Sequence, residues 1–281
     1  MSGRRMTHRR HFRAAAGHAF ALRSWLPSVL QFALTFATAL VGAFALTLPS
    51  AASAQQLTVS AAASLTNAFR ELGAAFEAAE PGTSVRMNFA ASGVLLQQLV
   101  QGAPVDVFAS ADQETMDRAA QRSLLVEATR IDFATNDMVL VEPASGAVNL
   151  GTLQDLAGPQ VKRVAIGKPA TVPAGRYAKE LLVREKLWTL LQPKLIQADS
   201  VRQVLDYVGR GEVEAGFVYR TDAAIMAGRV RVVTAAGDEP VTYPVAVVKE
   251  SPQPALAGRF VAFLATPAAR QVLRRHGFGT P

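Results

Sequence analysis

The chain has 281 residues, of which 50% are apolar and 18% charged, and it contains no cysteine. At roughly 150 residues per domain this length predicts about two domains or lobes, and the composition excludes a disordered, collagen-like or coiled-coil chain. The lack of cysteine excludes disulfide scaffolds, thiolate metal sites and cysteine nucleophiles.

The net charge of +7 is concentrated in residues 1–54. They hold six basic residues and no acidic one, so the remainder carries 29 − 6 = 23 basic against 22 acidic residues. That balance predicts no nucleic-acid partner. An arginine-rich start, an apolar stretch over 26–48 and the Ala52-Ser53-Ala54 stop predict a cleavable signal peptide over 1–54 and a periplasmic protein.

Two alternatives for the leader stay open. The pair Arg9-Arg10 resembles a twin-arginine export signal, so the export route is either the general secretory or the twin-arginine one. The apolar stretch is also long enough to span a bilayer, so an uncleaved anchor is the alternative to cleavage.

Beyond the leader, short apolar runs alternate with helical patterns, which predicts an α/β fold with largely parallel sheets. Strands are predicted over 57–61, 84–90, 105–111, 137–143, 163–167, 215–219, 230–235 and 243–250. Helices are predicted over about 65–80, 94–102, 113–122, 152–158, 174–188 and 200–211, with two more before Phe278. No Pro/Ser linker interrupts this pattern, which favours two lobes joined by crossing strands with a ligand cleft between them.

Catalytic motifs are scarce in this part of the chain. Its one histidine, His276, lies in an RRHGF segment typical of a helix end, where a capping or surface role is expected. The sequence has no G-x-S-x-G elbow, phosphate loop, dinucleotide loop or metal-ligand spacing. We therefore expect a binding protein with no metal ligands and no cofactor, and not an enzyme.

Small polar residues recur where predicted strands lead into helices. Ser64 and Ser92 each follow a strand, Pro173-Ala174-Gly175 opens a helix, and Ser200-Val201 opens another. Helix N-termini carry unpaired backbone N–H groups and the positive end of the helix dipole, so converging termini can bind an anion without Lys or Arg. Taken singly, each serine is also a candidate for a simple helix N-cap.

Five segments carry a resemblance to a known family. They are AAASLT (61–66), FAASG (89–93), GAPVDVFASAD (102–112), VPAGRYA (172–178) and YPVAVV (243–248). Together they resemble the periplasmic molybdate-binding proteins of ABC importers, in order and over essentially all of 57–278. The resemblance implies the type II periplasmic binding protein fold, an α/β fold in which two lobes close over a tetrahedral molybdate or tungstate. It implies a first lobe of residues 55–134 and 236–281, a second lobe of residues 135–235, and a first chain crossing near 133–137.

The resemblance also implies the ligand-binding residues. Ser64 and Ser92 would donate from one lobe, and the backbone N–H groups of Ala174 and Val201 from the other. Tyr219 would donate its phenolic hydroxyl; otherwise it is a core tyrosine at a strand end. The implied partners are the molybdate or tungstate anion and a membrane permease, with the binding protein a monomer.

All five groups are hydrogen-bond donors, which suits a fully deprotonated oxyanion that can only accept hydrogen bonds. A carboxylate in the site would repel such a ligand. Asp106 and Asp112 lie near the edge of the first lobe, and the family resemblance implies that they are structural. Donor chemistry does not separate sulfate from molybdate, since both are tetrahedral dianions. A same-fold protein for sulfate, phosphate or an organic anion therefore stays open, as do an extracytoplasmic enzyme and a membrane-tethered sensor.

Overall fold

The computed structural model describes residues 55–146, 148–237 and 239–281. The signal peptide predicted over 1–54 lies outside the described residues. Within those ranges, no helix combines the length and the apolar character needed to cross a bilayer.

Two five-stranded sheets organise the structure. The strands are β1 Gln55–Ala62, β2 Thr83–Ala90, β3 Val107–Ala109, β4 Ile131–Asn136, β5 Met138–Pro143, β6 Val164–Gly167, β7 Leu195–Ala198, β8 Ala215–Tyr219, β9 Val230–Ala235 and β10 Val241–Val247. The first sheet has the order β2-β1-β3-β10-β4 and the second β7-β6-β8-β5-β9. The chain passes from the first sheet to the second at Asp137, between β4 and β5, and returns between β9 and β10.

Helices cover both sheets. They are α1 Thr66–Ala79, α2 Ser92–Val100, α3 Gln113–Gln121, α4 Pro173–Arg184, α5 Trp188–Leu191, α6 Val201–Gly209, α7 Arg220–Ile225, α8 Pro254–Leu264 and α9 Pro267–Arg275, with 3₁₀ turns at Ala63–Leu65, Glu127–Thr129, Gln154–Ala157 and Gln192–Lys194. Helices α1, α2, α3 and α8 pack with the first sheet, and α9 packs on α1 and α8 in the same lobe. Helices α4, α6 and α7 pack with the second sheet, and α5 packs on α4 in the second lobe. The two-lobed α/β fold expected from the sequence is confirmed.

In helix α1, apolar residues at helical spacing form the face that packs into the core. Phe69, Leu72 and Phe76 recur at helical spacing and are fully buried. Phe76 packs edge-on against Phe260 of α8, with ring centroids 5.1 Å apart. Burying each such side chain contributes about 1.5–3 kcal/mol. The helix ends before Gly82, whose φ of +84° is readily adopted by glycine.

The structure corrects several predicted elements. Strands β4 and β7 and helix α7 were not predicted, because each is only four to six residues long and has no clear period. The helix predicted over 152–158 is a 3₁₀ turn at Gln154–Ala157. The helix predicted over 174–188 ends at Arg184, shortly before Lys186 adopts a φ of +56°.

Candidate functional site: a donor-lined cavity between the lobes

All five sequence-predicted site residues line one small cavity. The described residues that line it are Ala62, Ala63, Ser64, Ala91, Ser92, Ala111, Val172, Pro173, Ala174, Val201 and Tyr219. Both lobes contribute to this lining. The cavity volume is about 10 Å³, roughly the space of one water molecule and far below the ~300–1,000 Å³ usual for organic ligands, so in this arrangement the cavity is nearly closed.

The sheet topology explains why these residues meet. In the first sheet β1 is parallel to β2 and β3, and in the second sheet β6 is parallel to β7 and β8. Every lining residue follows or ends one of these six strands. The carboxyl ends of parallel strands are the usual ligand-binding edge of α/β sheets, and here two such edges face each other.

Ser64 and Ser92 are not helix caps. Ser64 lies inside the 3₁₀ turn after β1, Ser92 is the first residue of α2, and neither element has a side-chain cap bond. The Ser92 hydroxyl oxygen accepts a hydrogen bond from the Ala111 N–H at 3.0 Å. The Ser64 oxygen accepts one from the Tyr243 hydroxyl at 3.2 Å. The simple N-cap interpretation is therefore wrong for both serines.

Ala174 and Val201 present backbone N–H groups at helix N-termini. Val201 is the first residue of α6 and Ala174 the second of α4, which Pro173 opens. Neither N–H has a hydrogen-bond partner among the residues that the structure describes. Both helices direct the positive end of their dipole towards the cavity. A Cβ at Gly175 would lie 2.0 Å from the Gly167 carbonyl oxygen, so only glycine allows this helix to begin so close to β6.

Tyr219 ends β8 and is buried at the back of the cavity. Its hydroxyl donates to the Ala111 carbonyl at 3.3 Å, which crosses from the second lobe to the first. Burial raises the pKa of this phenol well above its usual value, and the neighbouring Tyr243 raises it further. Tyr219 therefore remains a neutral donor at physiological pH.

None of the described residues that line the cavity is charged, but two arginines flank it. Arg176 of α4 pairs with Asp112 of the first lobe, and its guanidinium also donates to Thr115 at 2.6 Å. Asp112 additionally caps α3, so it is structural as expected and also joins the lobes.

The second arginine, Arg202 of α6, donates to the Ser64 carbonyl at 3.1 Å in the other lobe. Its guanidinium also pairs with Asp222 at 2.6 Å. Burial raises the pKa of Asp222, and the Arg202 charge opposes that shift. Because both flanking arginines are paired with carboxylates, the cavity itself offers neutral donors.

The backbones of the two lobes also touch directly beside the cavity. The Gly93 N–H of α2 donates to the Thr171 carbonyl at 2.9 Å. A Cβ at Gly93 would lie 2.7 Å from that same oxygen. Glycine at this position therefore permits the close approach of the lobes.

The other singled-out residues lie away from the cavity. Asp106 is buried and accepts from the Thr58 N–H at 2.7 Å and from the Ser251 hydroxyl at 2.5 Å, which is a structural role. His276 is the C-cap residue of α9 and lies 2.8 Å from a Glu71 carboxylate oxygen. In the described part of the chain, no cluster of His, Asp or Glu has the arrangement of a metal site.

Sequence reasoning missed the residues that connect and orient these donors. Ala111 could have been found, since it follows β3 at the same sheet edge as Ser64 and Ser92. Arg176, Arg202 and Tyr243 carry no comparable signal, because their partners are 64 to 179 residues away in the chain.

Two α/β lobes with a small donor-bearing cavity between facing strand ends are typical of a solute-binding protein. The model of the bacterial extracellular solute-binding protein family matches residues 57–279. The molybdate-binding protein ModA of Escherichia coli is 38% identical over 265 residues, covering 91% of this chain and 98% of the relative. The chain belongs to this solute-binding family.

Solved structures of lower identity share the fold. The periplasmic molybdate-binding protein of Azotobacter vinelandii is 23% identical with a TM-score of 0.69, covering 80% of this chain and 99% of that one. The sulfate-binding protein SubI of Mycobacterium tuberculosis is 21% identical with a TM-score of 0.70, and the match covers 80% of this chain and 86% of that one. The fold therefore does not by itself select the anion.

Proposed function

We propose that the protein captures molybdate, and also tungstate, outside the cytoplasm and delivers it to the permease of an ABC importer. It acts as a monomeric receptor without catalysis, cofactor or nucleic-acid partner. The ligand is held by the Ser64 and Ser92 hydroxyls, the Ala174 and Val201 N–H groups and the Tyr219 hydroxyl.

The donor set of the cavity carries this proposal. Three hydroxyls and two unpartnered amides face one small space, and no carboxylate is among the described residues that line it. A fully deprotonated oxyanion only accepts hydrogen bonds, so such a lining suits it. Neutral donors and two helix N-termini also avoid burying an additional charged side chain, which would have to be desolvated.

Relatives support the choice of molybdate among oxyanions. The E. coli relative, 38% identical over nearly its whole length, is a molybdate-binding protein. Sulfate is the leading alternative, because it is also a tetrahedral dianion and a sulfate-binding protein shares the fold. Hydrogen phosphate and small organic anions fit less well, since a proton on the ligand needs an acceptor and an organic anion needs more space.

Lobe closure is the proposed mechanism. Residues 55–134 and 236–281 act as the first lobe and residues 135–235 as the second, and the anion takes donors from both. An anion held by both lobes binds the closed arrangement better than an open one and shifts the population towards closure. The permease would then recognise the closed form.

We also propose that residues 1–54 are a signal peptide removed after export, by either the general secretory or the twin-arginine route. Mass spectrometry of the exported protein distinguishes a chain beginning at Gln55 from one that keeps its leader as an anchor.

Calorimetry of the exported protein tests the function. Titration with molybdate, tungstate, sulfate and phosphate is expected to give the tightest binding for the first two. Ser92→Ala should weaken that binding, whereas Ser84→Ala, at the opposite end of β2, should leave it unchanged. Tighter binding of sulfate than of molybdate would assign the protein to the alternative ligand.

A further inference from the structure

A chain of hydrogen bonds leads from the lobe crossing to the cavity. The backbone N–H of Asp137 donates to the Asn136 side-chain oxygen at 3.0 Å. The Asn136 amide nitrogen then donates to the Thr221 hydroxyl at 2.8 Å and to the Tyr243 hydroxyl at 3.3 Å. Tyr243 in turn donates to the Ser64 oxygen at 3.2 Å.

The Asp137 N–H sets the donor-to-acceptor direction of this series of hydrogen bonds. A backbone N–H only donates, so the oxygen of Asn136 faces Asp137 and its amide nitrogen, which also only donates, faces Tyr243. The phenolic proton of Tyr243 then has Ser64 as its one acceptor among the described residues. In the reverse direction the buried Tyr243 proton would have no acceptor and Tyr243 does not line the cavity, whereas the Ser64 proton can face the cavity, so the reverse direction is disfavoured.

This direction leaves the hydroxyl proton of Ser64 without an acceptor among the described residues. Ser64 accepts from Tyr243, and no acceptor for its own hydroxyl proton exists in the described part of the protein. Ser64 lines the cavity, so an anion bound there is the acceptor that this proton meets. Ser92 is in the same position, since its oxygen accepts from the Ala111 N–H.

We propose that Tyr243 is a specificity-determining positioning residue, a proposal that rests on the oxyanion-binding function. Tyr243, oriented by Asn136, holds Ser64 as a donor and so excludes oxyanions that carry a proton. A ligand proton needs an acceptor in the cavity. It could use the Ser64 oxygen only if the serine proton turned elsewhere, and the hydrogen bond from Tyr243 opposes that rotation. The Ala111 carbonyl accepts from Tyr219 in this structure and becomes available to a ligand proton only when Tyr219 turns to the ligand; because this holds equally in the wild type and in variants at Tyr243, it does not alter their comparison.

Tyr243→Phe tests this role. Loss of the phenol lets the Ser64 hydroxyl rotate and offer its oxygen to a ligand proton. Sulfate and monohydrogen phosphate are matched probes at pH 8, since they have similar size and charge and differ by one proton. The apparent affinity of each is measured in calorimetric titrations by its displacement of bound molybdate.

The wild type is expected to prefer sulfate, and Tyr243→Phe should reduce the sulfate-to-phosphate affinity ratio at least tenfold. Tyr207→Phe is the matched control; Tyr207 pairs with Gln203 on α6, and its substitution should not alter the ratio. The double variant Tyr243→Phe/Ser64→Ala should restore the ratio, because the rotating hydroxyl is then absent.

Asn136→Ala gives an independent reading if the phenylalanine variant does not fold, as judged by thermal denaturation. It removes the amide that fixes the orientation of the Tyr243 hydroxyl and leaves space in which that hydroxyl can turn away from Ser64, so it should lower the ratio in the same direction. An unchanged ratio in a folded Tyr243→Phe or Asn136→Ala variant that still binds molybdate overturns the proposed role. Failure of the wild type to bind any of these oxyanions would instead refute the function itself.

Discussion

Gly93 tests whether contact between the lobes is part of ligand binding. It is the second residue of α2 in the first lobe, and a Cβ there would lie 2.7 Å from the Thr171 oxygen and 2.8 Å from the Thr171 Cα in the second lobe. Ordinary contact begins at 3.4 Å, so Gly93→Ala requires the backbones to separate by 3.4 − 2.7 = 0.7 Å. The contacting atoms of Thr171 belong to its backbone, so no side-chain rotation can relieve the overlap.

The expected cost follows from packing. Inserting a methyl group into a well-packed contact costs about 1–3 kcal/mol, so the affinity for molybdate should fall about 5- to 150-fold. Within α2 itself the substitution is favourable, since alanine stabilises a helix over glycine by up to about 1 kcal/mol. The ligand-free protein should therefore be no less stable, whereas binding is weakened.

Calorimetry with molybdate and thermal denaturation without it measure the two effects. Gly258→Ala is the matched control, because it makes the same change within helix α8 where no atom lies within 4 Å of the added Cβ. It should leave the affinity unchanged. Wild-type affinity in a folded Gly93→Ala variant would show that the contact between lobes is not required for binding.

Four further predictions concern the cavity and the contacts around it. Tyr219→Phe should lower molybdate affinity in calorimetry by about tenfold, the low end of the 1.5–3 kcal/mol expected for a hydrogen bond to a charged group, because its hydroxyl has a backbone carbonyl as alternative acceptor. An unchanged affinity would remove Tyr219 from the site. Ser92→Asp should abolish binding at neutral pH, since an unpaired carboxylate would face the anion in a desolvated space, and retained binding would exclude Ser92 from ligand contact. Arg176→Gln breaks the charged contact with Asp112 and should reduce both affinity and the ligand-induced decrease in radius of gyration measured by small-angle scattering; an identical radius with and without molybdate in the wild type would refute closure. Burial raises the pKa of Tyr219 and Tyr243 above the unfolded value near 10, so their contribution to stability is complete below about pH 10 and is lost as pH rises towards the folded pKa. Urea unfolding between pH 8 and 11 should show that decline, with a smaller slope in the phenylalanine variants.

Much of the fold could be predicted because its signals are local. Strand β8 was predicted at its observed bounds because it is a continuous apolar run whose five residues are all buried, and α1 to within a few residues because helical spacing reflects burial on one face. Strands β4 and β7 were missed because they are short and half-exposed, so their pairing with neighbouring strands decides their conformation.

Only part of the candidate site could be predicted from local sequence patterns. Ser64, Ser92, Ala174 and Val201 lie where a strand leads into a helix, a local pattern that singles out these turns, and the family resemblance then implies that they bind the ligand. Whether the two serines cap their helices or face a cavity could not be decided from that pattern, since both roles use the same residue type at the same place.

By itself the sequence determined the α/β class, the neutral donor-rich character of the binding residues and the scarcity of catalytic groups. Only the tertiary structure decided that the donors converge, that Arg176 and Arg202 reach across the lobes, and that Tyr243 donates a hydrogen bond to Ser64. The physical reason is that a hydrogen bond requires a particular partner in a particular orientation, and a local sequence pattern does not identify that partner. When the partner is more than a hundred residues away, as it is for Ser64 and Tyr243, only the pairing of the strands brings the two together.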